Sequence, residues 1–159
     1  MGKKKLIIII ASILVVVAIG FGVGVGLSNK SPDGPIWFKE NTIDFAAPHI
    51  GEEMFVLVNS IEDLNSIYGD SYNETYDKSF FKRKSLIVLT VETPDSGDVY
   101  SINDVFVEND VLTVDVKIEH HSGALTAEWN WRIIIEVKKS DIKGVTEIQK
   151  IFTECGNSA

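Results

Sequence analysis

The sequence predicts an α+β protein carried on an N-terminal transmembrane helix: a small, mostly antiparallel sheet with one packed helix, in the order β-α-β-β-β-β. Three observations point there. An almost unbroken apolar run, residues 6–27, follows Lys3, Lys4 and Lys5. Beyond it, short segments alternate apolar and polar residues with the period of two that marks half-buried strands. Only one segment, starting at Ser60, has clear helical spacing. No full helical crossover joins the later strands, so most of them are expected to pair antiparallel.

The apolar run reads as an anchor. As a helix it spans roughly 33 Å at 1.5 Å per residue, enough for a bilayer core of about 30 Å. Lysines on its short N-terminal side place residues 1–5 in the cytoplasm and the rest of the chain outside. A cleavable signal peptide, releasing a secreted domain, is the alternative, because Gly24, Val25 and Gly26 offer small residues for cleavage. The length of the run favours a retained anchor. Gly20/Gly24 and Gly22/Gly26 match the small-xxx-small spacing that lets membrane helices pack, which makes dimerisation through this half of the anchor an alternative to a lone span.

Each later element has a local cause. Residues 28–35 are a linker of turn formers and prolines. Residues 36–48 are apolar without period, with Trp37 and Phe38 as packing anchors. Residues 54–59 read as a first strand, rich in β-branched and aromatic side chains. Ser60 then caps a helix with Glu62 and Asp63 in its first turn, Ile61, Leu64 and Ile67/Tyr68 on one face, and Gly69 at its end. Asp77 starts a further helical turn through Phe81. Residues 86–91 are apolar on both faces, as in a central strand covered on two sides.

Two strands from Val99 onward meet at Glu108-Asn109-Asp110. In the second, Leu112, Val114, Val116 and Ile118 face the core, while Thr113, Asp115, Lys117 and Glu119 face water. Residues 120–126 form a polar loop. Residues 129–138 are the clearest strand, with Trp129, Trp131, Ile133, Ile135 and Val137 on one face. A turn capped by Ser140-Asp141 ends at Gly144, residues 145–152 supply a last strand, and 153–159 are a frayed tail. The domain proper is thus 36–152.

Charge and cysteine content narrow the function. The three lysines are the only charges in the first 27 residues, so the formal net charge of −8 becomes −11 beyond them. That argues against nucleic acid, which needs a basic patch, and against a domain lying flat on anionic lipid. About 130 residues outside the anchor suffice for one core, not two. The single cysteine, Cys155, excludes an internal disulfide. Asn73-Glu74-Thr75 fits the glycosylation pattern, which matters only in a eukaryotic host.

Chemistry-bearing clusters are weak. His120 and His121 point to opposite faces of an extended chain and, with Glu119, Glu128 and His49, lack the ligand spacing of a zinc site. Asp95, Ser96, Gly97 and Asp98 lack the alternating ligands of a calcium loop. The acid pairs Glu119/Glu128 and Asp104/Asp115 cannot be placed in a cleft from sequence, and no nucleophile elbow or phosphate loop exists. No catalytic, cofactor-binding or metal-ligating residue is therefore assigned. Trp129 and Trp131 share their face with aliphatic residues, which favours core packing over ligand binding. Asn130 and Arg132 are then an exposed pair, and these four residues are the candidates for partner contact.

A series of short pieces resembles a known group: Tyr76-Asp77-x-x-Phe80-Phe81, Leu86-Ile87-Val88, Ser96-Gly97, Val105-x-Val107, Leu112-x-Val114-x-Val116, and Glu128-Trp129 through Ile135-Glu136-Val137. Together they are similar to small secreted or membrane-tethered domains of Gram-positive bacteria related to the C-terminal domain of the protease-stabilising PrcB type. The pattern departs at Ser96-Gly97-Asp98-Val99-Tyr100, a residue longer than the family's Thr-Gly-Gly-Tyr. The resemblance implies a non-enzymatic accessory domain of undetermined partner outside the membrane, and the leading expectation is that it binds or stabilises another envelope protein. The alternatives are a module that binds wall glycan or a small solute through an aromatic sheet face and, more remotely, a hydrolase.

Overall fold

The computed structural model describes residues 33–45, 53–93, 97–121 and 129–155. The expected anchor (6–27), the first part of the linker, His49, Asp95, Ser96, Glu128 and residues 122–128 lie outside them, as do 156–159. Among the described residues no helix is long and apolar enough to cross a membrane.

Among the described residues the domain is mostly sheet with one α-helix, α+β as expected, but its strands divide between two sheets. They are β1 (Gly34–Pro35), β2 (Phe38–Phe45), β3 (Phe55–Val58), β4 (Lys84–Thr93), β5 (Asp98–Glu108), β6 (Val111–His120), β7 (Trp129–Lys138) and β8 (Glu147–Cys155). One sheet has the order β1-β5-β6-β8 and the other β2-β7-β4-β3. Helix α1 (Ile61–Tyr68) and 3-10 turns at Gly69–Tyr72 and Phe80–Lys82 follow β3.

The period-two pattern explains this layering. In β4, Ile87, Leu89 and Val91 face the first sheet, as do Ile133, Ile135 and Val137 of β7. They meet Val105 and Val107 of β5 and Leu112, Val114 and Val116 of β6 in one aliphatic core. The intervening residues Leu86, Val88 and Ile134 face the other way and pack under Ile61, Leu64, Tyr76 and Phe81. The result is sheet, sheet and helical cover. β4 is buried on both faces, as its doubly apolar sequence requires.

Local signals set the ends of several elements. Ser60 Oγ accepts the Asp63 N–H at 3.0 Å, capping α1. Gly69, at φ 61°, stops the helix and returns its N–H to the Asn65 carbonyl. Asn109 and Asp110 both have positive φ, 52° and 63°, the two-residue hairpin turn that matches strand twist.

Four expectations need correction. Thr113 and Asp115 do not face water: both are buried on the outer face of their sheet. Asp115 accepts from Asn103 Nδ2 at 2.6 Å and Thr153 Oγ1 at 2.8 Å, and Thr113 accepts from Gln149, so polar partners on neighbouring strands cover them. β8 runs on through Cys155, pairing with Glu119, where a frayed tail was expected. It also runs parallel to β6. β7 in the opposite sheet serves as the crossover that a helix would otherwise provide. Trp37, expected in the core, is 42% exposed because it stands where the chain passes from one sheet to the other.

The edges of the sandwich are closed by side chains. Glu40 Oε2 accepts the Ile102 N–H at 2.9 Å, covering part of β5 beyond the short β1. On the opposite side Lys150 points inward from β8, is buried, pairs with Glu53, and lies over the rings of Phe55 and Phe152. An inward-pointing charge on an edge strand discourages pairing with another chain.

Candidate functional site

A concavity opens on the outer face of the second sheet, at the end that α1 leaves uncovered. It has a volume of about 830 Å3. Two short segments build it. The first leaves the turn at Phe80–Lys82 and enters β4 as Lys82, Arg83 and Lys84; the second is the end of β7, Lys138 and Lys139. Antiparallel register sets Lys84 opposite Lys138, and the Lys139 N–H donates to the Arg83 carbonyl at 2.9 Å. Two runs of adjacent cations, distant in sequence, thus become one basic wall. Ser79, Ser140 and the Phe80 ring complete the lining.

The turn that presents this wall is fixed by Asp77. Its carboxylate accepts from Ser79 Oγ at 2.7 Å and from the Phe80 N–H at 2.8 Å, as expected of a capping residue. The same hydrogen bonds hold its carboxyl below the usual range.

Beneath the wall lies a single buried acid. Glu136 accepts Lys84 Nζ at 2.8 Å on one oxygen, and Lys39 Nζ at 3.4 Å and Asn41 Nδ2 at 3.2 Å on the other. Burial pushes its carboxyl up, but the hydrogen bonds from Lys84 and Asn41 and the two ammonium charges prevail and hold it low. Burial, aided by the Glu136 charge, pushes the Tyr76 phenol up to about 12. Tyr76 therefore stays protonated beside the carboxylate, accepting from Asn41 at 3.1 Å.

The remaining cations are less committed. Lys84 Nζ lies 4.8 Å from the Trp37 ring centroid and Lys138 Nζ 5.2 Å from it, so this exposed indole sits among ammonium groups. Lys139 donates to the Asn59 carbonyl at 3.0 Å. Among the described residues no carboxylate stands within ion-pair distance of Lys82, Arg83 or Lys138. Such a surface attracts anions.

The residues assigned to partner contact from sequence lie at the other end of β7. Asn130 is 4% exposed and Arg132 half-buried, so they are not an exposed pair. The segment after β3 covers Arg132: its guanidinium stacks 4.3 Å from the Tyr68 ring centroid and donates to the Tyr72 hydroxyl at 3.0 Å. Trp131 packs against the inter-sheet core with its ring 6.0 Å from Tyr100. Trp129 starts the strand opposite Thr93. The two histidines make separate contacts. His120 Nδ1 lies 2.6 Å from Asp98 across the β5–β6 pair, and His121 Nε2 is 4.0 Å from Glu119. Among the described residues no three His, Cys, Asp or Glu side chains gather to hold a metal.

Sequence reasoning missed the groove although its signal was present. Lys82-Arg83-Lys84 and Lys138-Lys139 are the only adjacent cations beyond residue 27 in a markedly acidic chain. Comparison with known proteins finds no matching family model, curated protein or solved structure.

Proposed function

We propose that this chain is a membrane-anchored extracytoplasmic domain that acts by binding, with no catalytic step of its own, and that the basic groove holds anionic groups displayed in the envelope. One observation carries the reading. Of the twelve lysines and arginines beyond residue 27, five line a single concavity, on a domain whose formal charge is otherwise strongly negative. Like charges brought together raise the energy of the free protein, and a bound anion relieves that repulsion. The partner favoured by the sequence, another envelope protein that is bound or stabilised, meets this chemistry by presenting carboxylates. The reading through an aromatic sheet face loses support, because Trp131 packs in the core.

Titration of the full chain in detergent with polyglutamate and with inorganic polyphosphate tests the proposal. Binding should weaken steeply with salt and disappear in K82E/K138E. Salt-independent binding, or binding that survives the charge reversals, would remove the groove from the function.

A further inference from the structure

We propose that the groove docks on the phosphate headgroups of the membrane that carries the anchor, holding the domain groove-down on that surface. This inference rests on the anion-binding reading above and on the anchor at residues 6–27, and it names the source of the anion. Three features of the site favour headgroups over an acidic protein segment.

The first is position. Trp37 stands at the rim of the groove, ten residues beyond Leu27. Ten residues reach at most about 35 Å when fully extended. The groove is therefore at the end of the domain where the chain arrives from the lipid, and β2 leads away from it. A chain this short keeps the cations near the headgroups at high effective concentration.

The second is the aromatic rim. Trp37 is the one large apolar side chain left exposed among the described residues, and Phe80 is half-buried in the lining. Indoles concentrate at the membrane interface, where an apolar body and a polar N–H suit the two sides of the boundary. An exposed tryptophan between two lysines fits a surface that is anionic at one level and apolar just below it.

The third is donor chemistry. Arg83 offers a planar fork suited to phosphate oxygens, and Lys82 and Lys138 are exposed point charges. Lys84 is held by Glu136 and so forms the fixed floor. Net negative charge elsewhere on the domain is then an orienting force, since it repels every other face from an anionic surface.

The test places the full chain in nanodiscs of phosphatidylcholine alone or with phosphatidylglycerol, and reads quenching of tryptophan by a headgroup-spin-labelled lipid. Trp37→Phe provides the background from Trp129 and Trp131. Trp37 quenching should appear with phosphatidylglycerol and fade at high salt. Each cation near an anionic surface is worth about 1 kcal/mol, or roughly five-fold, so K82A/R83A/K138A should weaken docking roughly a hundredfold. Equal quenching in both lipids, or quenching indifferent to the triple variant, overturns the proposal. If polyglutamate and polyphosphate bind the groove but Trp37 is never quenched, lipid docking fails while the anion-binding reading stands, and an acidic protein segment is the occupant. Loss of all three signals in a chain with an unchanged unfolding transition removes both.

Discussion

Strands β4 and β7 carry two unlike faces, and the difference shows where structure ends and function begins. On the inner face Ile87, Leu89, Ile133, Ile135 and Val137 meet the other sheet with no polar atom among their side chains. The middle of the outer face is apolar as well, with Leu86, Val88 and Ile134 under α1. Towards the end of β7 it changes to Glu136 and Lys138, with Lys84 opposite. The middle of the inner face is sealed and obeys packing, with the hydrogen-bonded Ser85 and Thr93 at the two ends of β4. The outer face outruns its helical cover, and the uncovered end collects charge around one buried carboxylate.

The inner face should give the largest effects. Ile135→Ala leaves a cavity in a layer with nothing mobile to fill it and should cost about 3–5 kcal/mol in denaturant unfolding. Leu64→Ala removes an equally buried side chain, but from a short helix that can settle onto the sheet, and should cost about 2–3 kcal/mol. If the outer layer is a separate shell, hydrogen exchange in Leu64→Ala will rise in α1 while β4 and β7 stay protected. Equal loss of protection in both would mean the two faces unfold as one unit.

Glu136 marks the boundary between the two regimes. Glu136→Gln keeps the shape but removes the charge that Lys84 and Lys39 share, and should cost roughly 1.5–3 kcal/mol. Its carboxyl is held low in the folded chain, so the contribution is present at neutral pH. It declines below the ordinary glutamate value of 4.5 and is gone once pH falls below the lowered one. Acid unfolding of Glu136→Gln should accordingly show a shallower pH dependence than the parent. A parallel pair of curves would mean that the ammonium groups do not stabilise the acid.

How far the two faces could be read in advance follows from what each depends on. The inner face was visible as period-two alternation in residues 129–138 and as the doubly apolar run at 86–91, because burial leaves a direct trace in composition. Ser60, Gly69 and Asn109-Asp110 were visible because caps and hairpin turns need particular residues at particular places. β2 was not, since the edge strand Phe38–Phe45 mixes Lys39, Glu40 and Asn41 with its apolar residues. The division into two sheets and the parallel β8 depend on pairing partners that no local pattern names. The groove was hidden for the same reason: its walls meet only through the Lys84–Lys138 register. Net charge gave no sign of it either, for a total of −8 conceals how unevenly the cations are spread.

The smallest stability effect is expected where the functional effect is largest. Lys82 and Lys138 are exposed, have no carboxylate partner among the described residues, and stand beside Arg83, Lys84 and Lys139. Removing either gives up little packing and relieves like-charge repulsion, so Lys82→Ala and Lys138→Ala should each change stability by no more than about 0.5 kcal/mol. For Lys82→Ala the sign should favour a gain, and salt should shrink that gain by screening the same repulsion. Lys138→Ala also loses its contact with Trp37, worth about 0.5–1 kcal/mol at an exposed site, which should cancel its gain. The two variants should therefore differ by this contact at low salt and stay apart at high salt, where both lose the gain from relieved repulsion, while both weaken anion binding. A clear destabilisation by Lys82→Ala would make its ammonium a structural group like that of Lys84, and would move the boundary of the groove outward by one residue.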